Sequence, residues 1–387
     1  MDKKAWDRQS GGLDYLCIML VLLDCRPLQH IGSDSEKSQL VLSVAASLAR
    51  DRGVKWLLLA DHTYRPGLFP GLPDMPVLVR RAFPGQAGWK LWYDWLIPRI
   101  VRKFKPDAVM LTGGVVAAVP DLPQFLWMPI GVDPVEIKGG KQQLPLYAGR
   151  LTASLRRAEA VFCFSEKDRT WLAGNGRADK DKVYVMRPPL LTMAAPLAGE
   201  ERERIKGQFA GGREYFFVDA MAASEEEVIR LLKAFSLFKK RQLSNLRLLV
   251  SGWLTPGLRV KLETYKYRDE VSFFETRAAD DRLMDAAYAA LFPFEGDSLG
   301  MGLLRAWQTG VPAFVKADGR MREIAGDAAL GVMDGDPGSL AAQLMSVYKD
   351  ESLRAALIGK GTARLTAFDG GRQLAEVWKA INNIYIL

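Results

Sequence analysis

Histidine and cysteine are scarce in this sequence. Only two histidines, His30 and His62, occur in 387 residues, and the three cysteines, Cys17, Cys25 and Cys163, are scattered without a CxxC pair. A histidine-rich metal site and a zinc site are therefore excluded, and we expect neither a metal nor a cofactor. The odd cysteine number and the apolar neighbours predict buried thiols in a reducing compartment, which favours a cytoplasmic protein.

Long apolar runs are absent as well. The most apolar run, Tyr15–Leu23, is nine residues long, whereas a transmembrane helix needs ~20. Asp24, Arg26 and Pro27 follow this run where a signal peptide would carry small cleavage-site residues. The run therefore predicts the first buried strand of a sheet rather than an anchor or a leader.

The charge is basic but mixed in sign. Lys and Arg number 53 against 45 Asp and Glu, which gives a net charge of +8. This balance favours an ordinary basic surface, with peripheral attraction to an anionic membrane surface or to a phosphorylated partner as the alternative. No nucleic-acid-binding motif accompanies the charge, so we expect no nucleic-acid partner.

The pattern of strands and helices predicts an α/β protein. One alternating run extends from Tyr15 to Met186, and a second restarts at Tyr215 after the Pro-rich segment Arg187–Gly212. Such runs predict two doubly wound, Rossmann-like domains facing a cleft. We expect domains at 1–190 and 213–370, a linker at 191–212, and a C-terminal helix at 371–387 that packs back on the first domain.

The chain is organised around one corner, Leu291–Pro312, which reads LFPFEGDSLGMGLLRAWQTGVP. It predicts a buried strand at Ala289–Phe292, an acidic glycine-rich loop, and a helix from about Met301 to Gln308. The N–H groups that begin such a helix face any anion held in the loop. Close packing of the helix on the sheet explains the glycines equally well.

The first domain offers two similar turns and one aromatic helix. Gly113 and Gly114 follow the predicted strand Ala108–Leu111, and Ser33–Lys37 follows the first strand. Both turns lie where an acceptor or a donor would be met, although ordinary turns explain them too. The aromatic residues of the predicted helix Trp89–Phe104 are expected in the core or in packing between the domains rather than at a ligand.

The stretch from Tyr288 to Ala367 resembles the C-terminal half of GT-B glycosyltransferases of the retaining GT4 group, the glycosyl transferases group 1. That family has the pattern P-S-x-x-E-G-F-G-x-P-x-x-E-A-x-x-x-G-x-P followed by E-V-x-G-D-A-A-L. This chain has FPFEGDSLGMGLLRAWQTGVP and then EIAGDAAL from Glu323. The resemblance implies the GT-B architecture and metal-independent hexosyl transfer from a nucleotide-sugar donor to a carbohydrate, lipid or protein acceptor.

The resemblance also implies the site. The family has two carboxylates eight positions apart, which fall here on Asp297 and Arg305, and Glu295 replaces the first if the loop bulges. The expected catalytic residues are thus Asp297 and Glu295. The implied donor-binding residues are Ser298, Gly300, Met301, Gly302, Arg305 and Glu323. On the acceptor side the candidates are Gly113, Gly114, Ser33 and Lys37.

The sequence departs from the family at several of these positions. Arg305 cannot accept hydrogen bonds from ribose hydroxyls, because a guanidinium only donates, so it is expected to grip a phosphate or to pair with Asp297. The family's phosphate-binding Arg and Lys are replaced within Ala220–Glu226, where the consecutive glutamates are expected to cap a helix. Ile130-Gly131 stands in place of a His-Asp pair. These departures keep two alternatives open: a catalytically degenerate partner or scaffold for an active glycosyltransferase, and an enzyme with a rebuilt site.

Overall fold

A computed structural model describes residues 19–31, 36–52, 54–64, 76–128, 147–174, 177–187, 195–221, 223–274, 277–294, 299–333, 335–368 and 370–382. The chain divides into two compact units. The first comprises Met1–Pro189 together with Gly370–Leu387, and the second comprises Leu190–Asp369.

The first unit is a parallel sheet of seven strands with helices between them. Its strands are β1 (Leu20–Asp24), β2 (Lys55–Asp61), β3 (Val77–Arg80), β4 (Ala108–Leu111), β5 (Gln124–Trp127), β6 (Ala160–Cys163) and β7 (Val183–Val185). Its helices begin with α1 (Arg26–Ile31), α2 (Glu36–Arg52) and α3 (Gly85–Leu91), which continues through a π turn (Trp92–Leu96) into α4 (Ile97–Phe104). They continue with α5 (Tyr147–Arg157) and α6 (Glu166–Ala173).

The second unit is a parallel sheet of six strands. The chain enters it through α7 (Gly199–Ala210), β8 (Tyr215–Asp219), α8 (Glu225–Gln242), β9 (Arg247–Ser251), α9 (Pro256–Glu263) and β10 (Val271–Phe274). It continues through α10 (Arg277–Asp285), β11 (Ala289–Phe292), α11 (Met301–Gln308), β12 (Ala313–Lys316), α12 (Arg320–Ala325) and β13 (Leu330–Val332). Helices α13 (Pro337–Lys349) and α14 (Glu351–Arg364) complete it, and α15 (Gly370–Asn382) returns to the first unit.

Both sheets have the doubly wound strand order. The first sheet runs β3-β2-β1-β4-β5-β6-β7 and the second runs β10-β9-β8-β11-β12-β13. All the pairs described within them are parallel. The central strands are buried over their whole length, for example Ala289–Phe292, because helices cover both faces of such a sheet. The predicted pair of doubly wound units is confirmed.

The segment predicted as a linker contains part of the second unit. Helix α7 lies within 191–212, and it buries Ile205 and Ala210 in the core of that unit. The C-terminal helix α15 packs against α2 in the first unit and buries Val377, Ala380 and Ile381.

Buried residues follow the expected chemistry, with one exception. Cys25 and Cys163 are buried free thiols, and burial raises the pKa of both; Cys17 lies outside the described residues. Trp92 and Tyr93 are core residues, whereas Trp95 is 54% exposed and lies outside the core. Among the helices described, none has the length and apolarity needed to cross a bilayer.

Candidate functional site

The strand order of the second unit locates its binding edge. Strands β8 and β11 are neighbours in the sheet, yet β9 and β10 extend to one side of them and β12 and β13 to the other. Ligands of doubly wound sheets bind outside the carboxyl ends of the strands at this reversal. The segment after Asp219 and the turn after Phe292 leave the sheet at that point, so the predicted corner lies at the carboxyl edge beside β8.

Backbone contacts hold the neighbouring strand ends close together. The N–H of Ala220 donates to the carbonyl of Ser251 at 2.7 Å, and the N–H of Gly252 donates to Phe274 at 2.9 Å. A Cβ on Gly252 would lie 3.1 Å from the carbonyl oxygen of Ala220. This glycine therefore permits a tight edge, and the next residue, Trp253, stands 57% exposed beside it. Trp253 is not among the residues predicted from the sequence, although a tryptophan directly after a strand and a glycine is a recognisable signal.

The two corner glycines have local structural reasons. Gly300 begins α11 with φ +86°, a left-handed conformation that favours glycine, and a Cβ there would lie 2.7 Å from Cδ1 of Ile324. A Cβ on Gly302 would lie 3.1 Å from the ring of Phe292, so this glycine lets the helix approach its strand. The packing explanation thus accounts for both.

The amino end of α11 nevertheless keeps the character of an anion site. Gly300 has no side chain to cap the helix, and no acidic residue lies in its first turn, which begins at Met301. Backbone N–H groups at such an end attract negative charge. Glu295, Asp297 and Ser298 lie outside the described residues, so the roles inferred for them stay predictions.

Arg305 is an exception to the predicted donor site. Its guanidinium forms a bidentate pair with Asp285, from Nε to Oδ1 at 3.0 Å and from Nη2 to Oδ2 at 2.6 Å, and it contacts Asp281 at 3.1 Å. Burial raises the pKa of the Asp285 carboxyl, and hydrogen bonds from Arg305 oppose that rise. Asp285 ends α10 just before β11 begins, toward the amino edge of the sheet. The N–H groups of Arg305 are therefore engaged between α10 and α11, which favours a structural role, and donor binding by this residue stays a prediction.

Two other basic residues lie at the carboxyl edge. Lys316 is the last residue of β12, and Arg320 is the first residue of α12. The Lys316 ammonium lies 3.9 Å from the carboxylate of Asp318, at the outer limit of an ion pair. Glu323 is exposed within α12, and its carbonyl accepts from Arg364 at 3.0 Å; its role in donor binding stays a prediction. The edge thus carries positive charge at positions that the sequence analysis did not single out.

The consecutive glutamates cap helices, as expected. Glu227 and Ser224 form a reciprocal capping box at the start of α8. The Glu225 carboxylate accepts from the Thr255 hydroxyl at 2.6 Å, and a Cβ on Gly257 would collide with it. The exposed carboxylate of Glu225 therefore lies at the first turn of α9, next to the segment that aligns with the family's phosphate-binding residues.

At the corresponding edge of the first unit, the described side chains form a buried cluster after β1. The Arg26 guanidinium stacks 3.9 Å above the Trp89 ring, lies 3.6 Å from Asp61, and donates to the carbonyls of Gly88 and Phe83. These contacts tie the end of β1 to α3, and the cluster is buried.

A second buried acid, Asp24, adjoins this cluster. Asp24 is fully buried, and this burial raises its pKa to about 6 even though the Trp92 Nε1–H donates to it at 3.0 Å. Its carboxylate therefore contacts protein groups and not solvent, which leaves it a structural role.

The acceptor-side candidates lie around this buried cluster. Gly113 and Gly114 are buried at the end of β4, and a Cβ on Gly113 would collide with the Tyr93 hydroxyl. Packing thus explains Gly113, and acceptor binding there stays a prediction. Ser33 and Ile130-Gly131 lie outside the described residues, as does the side chain of Lys37, whose backbone belongs to α2. Across the residues that are described, no group of three His, Cys, Asp or Glu is placed to hold a metal ion.

Comparisons with known proteins agree with this architecture. Residues 199–364 match the family described as glycosyl transferases group 1. The structure resembles Anabaena HepE in complex with UDP, with a TM-score of 0.72, 13% identity, and coverage of 95% of this chain and 100% of that one. The structure also resembles a glycosyltransferase from Rickettsia africae, with a TM-score of 0.71, 12% identity, and coverage of 96% of this chain and 99% of that one.

The same fold also carries other chemistry. A Listeria monocytogenes putative UDP-N-acetylglucosamine 2-epimerase has a TM-score of 0.66 and 13% identity, covering 95% of this chain and 97% of that one. No curated protein matches the sequence. Residues 199–364 are therefore similar to the glycosyl transferases group 1 family, within a chain that has the GT-B fold.

Proposed function

We propose that this chain transfers a hexosyl group from a nucleotide-sugar donor to a carbohydrate, lipid or protein acceptor, without a metal. The observation that carries the proposal is the match of residues 199–364 to the glycosyl transferases group 1 family. In this part of the chain the strand order reverses between β8 and β11, and the amino end of α11 at Gly300 follows β11. Anabaena HepE has been crystallised with UDP, which supports a nucleotide-sugar as the donor.

Charge stabilisation of the leaving diphosphate is the central requirement of this reaction. Negative charge grows on the diphosphate as the sugar leaves, and fixed N–H dipoles and cations at that position lower the barrier. We assign this task to the amino end of α11 together with Lys316 and Arg320. They replace the Arg and Lys of the family pattern, and Arg305 has no part in it because it binds Asp285 and Asp281.

Recognition of the nucleobase is assigned to Trp253. Its indole is 57% exposed directly after the tight contact between Gly252 and Ala220. An aromatic ring at a strand's carboxyl end offers a flat apolar surface on which a base stacks. Asp297 or Glu295 would then lie beside the sugar, as the resemblance implies.

Titration calorimetry with UDP, GDP and ADP tests donor binding. We expect one of them to bind. Trp253→Ala should weaken that binding about tenfold, which is a loss of ~1.4 kcal/mol in binding free energy. Lys316→Ala should slow turnover, because it raises the activation free energy by ~2–4 kcal/mol. The controls are Leu243→Ala and Lys240→Ala, which alter exposed residues at the carboxyl end of α8. Absence of binding by all three nucleotides at millimolar concentration would refute the proposal.

Product analysis with a nucleotide-sugar separates the remaining alternatives. Release of nucleoside diphosphate with acceptor glycosylation supports transfer, whereas an epimerised nucleotide-sugar would point to the chemistry named for the Listeria protein. The degenerate-scaffold alternative is not favoured by the family match. It would be revived if nucleotide binding failed while a companion glycosyltransferase co-purified.

A further inference from the structure

One surface of the first unit is unusually basic. The segment 76–106 contains seven Lys or Arg residues and one acidic residue, Asp94, so its net charge is +6 in a chain whose net charge is +8. Asp94 is itself neutralised, because Arg150 of α5 donates to its carboxylate at 2.7 Å. This strand-to-helix segment therefore has a local excess of positive charge, with seven of the 53 Lys and Arg residues and a single acid that is already paired.

The same surface exposes large apolar side chains. Phe83 is 60% exposed, Leu91 47% and Trp95 54%. Along the helix, Leu91, Trp95, Arg99 and Lys103 recur every four residues and are all exposed, while Trp92, Ile97 and Ile100 on the other side are buried. We call Leu91, Trp95, Arg99 and Lys103 the basic aromatic face.

Apolar and basic side chains are neighbours on this face. The Arg99 guanidinium lies 5.5 Å from the centre of the Trp95 ring, so charge and aromatic surface are adjacent. A helix with apolar and cationic side chains on one exposed side suits the boundary between lipid headgroups and acyl chains. Tryptophan concentrates at that level, and each Lys or Arg gains attraction to anionic headgroups.

We propose that the basic aromatic face binds the surface of an anionic lipid bilayer, with Trp95 and Leu91 inserted at headgroup level. A second copy of the chain fits poorly, because a symmetric dimer would press one +6 surface against another. A purely polyanionic partner would leave the apolar side chains unused. The inference does not depend on sugar transfer, since bilayer binding is measured without a donor or an acceptor.

Co-sedimentation with lipid vesicles is the first test. We expect the full chain to sediment with phosphatidylcholine vesicles that contain about a third phosphatidylglycerol, and not with phosphatidylcholine alone, with weaker binding at high salt. The double charge reversal Arg99→Glu/Lys103→Glu should lower the partition coefficient by a factor of about 25 or more. Each Lys or Arg lost from the face accounts for about fivefold of this change. The matched control is Val260→Ala/Lys261→Glu on α9, where Val260 is 62% exposed.

Depth-dependent quenching tests the insertion of Trp95. Brominated lipids quench tryptophans that reach the acyl region, so Trp95→Phe should remove most of the quenching while vesicle binding persists. Trp253→Phe in the second unit should leave the quenching unchanged, although Trp253 is as exposed as Trp95.

Three results would overturn the proposal. The first is absence of vesicle binding, or vesicle binding that the charge reversal leaves intact. The second is equal binding to heparin with no tryptophan quenching, which indicates a polyanion site. The third is a dimer in solution that dissociates in Trp95→Ala, because this result would show that the face binds a second copy of the chain.

Discussion

Replacing Arg305 by Met distinguishes a structural role for this residue from a role in donor binding. The change removes three N–H···O contacts to Asp285 and Asp281 but keeps a side chain of similar length on α11. Asp285 is left 4% exposed without its cation. An uncompensated buried carboxylate is strongly destabilising, because no water replaces the lost partner.

The expected loss of stability follows from the burial of the pair. Removal of one partner of a fully buried pair costs ~3–5 kcal/mol. The Arg305 side chain is 27% exposed, so solvent reaches part of the pair, and we expect about 2–3 kcal/mol. In a unit of this size that loss lowers the melting temperature by roughly 5–10 °C.

Thermal and urea unfolding measure this loss, and pH gives an internal check. The native pKa of Asp285 lies above its ordinary value, so the folded chain holds the proton at a higher pH than the unfolded chain does. Protonation therefore favours the folded state, and the loss in Arg305→Met should shrink as the pH falls toward that raised pKa. Arg282→Met is the control, because its pair with Glu201 is exposed and should cost less than ~1 kcal/mol.

Donor affinity decides the interpretation. Nucleotide binding to the folded variant should match that of the unaltered chain, and Arg305→Met/Asp285→Leu should recover much of the stability, since an apolar pair replaces the buried charges. Unchanged stability together with lost nucleotide binding would refute this reasoning and return Arg305 to the donor site.

Two further changes test packing and burial. Gly361→Ala should destabilise the second unit by ~1–3 kcal/mol, because the added methyl group meets the Trp307 ring. Gly359→Ala on the same helix is the control: its methyl group meets nothing within 4 Å, so the change should be neutral or stabilising. Urea unfolding of the two variants compares their stabilities. Asp24 has a native pKa of about 6 against 3.8, so its contribution to stability is lost as the pH rises through 6. In Asp24→Asn, the free energy of unfolding should therefore depend less on pH between 3.8 and 6 than it does in the unaltered chain. An unaltered pH dependence would contradict the raised pKa of Asp24.

Local sequence patterns predicted the corner well. The strand Ala289–Phe292 and the helix Met301–Gln308 have the predicted bounds. The strand is an uninterrupted apolar run, which buried parallel strands require. Gly310 and Pro312 end the helix through their own backbone properties, since Gly310 adopts a positive φ of 74° and proline has no N–H to donate.

Partners distant in sequence were not predictable in the same way. Arg305 binds Asp285, 20 residues earlier, and no local pattern selects that carboxylate over others. Trp95 shows the same limit, since helical spacing alone does not reveal which side of an aromatic helix packs on the sheet. Lys316 and Arg320 were missed because their position depends on where β12 ends and the six-residue helix α12 begins.

The return of α15 to the first unit affects the order of folding during synthesis. The ribosome releases the first unit's strands before the second unit, but Val377, Ala380 and Ile381, which α15 buries, come last. Domains generally fold as units during synthesis, starting from the amino terminus. Here the second unit is wholly synthesised while the first still lacks a helix, so the unit begun first is completed last.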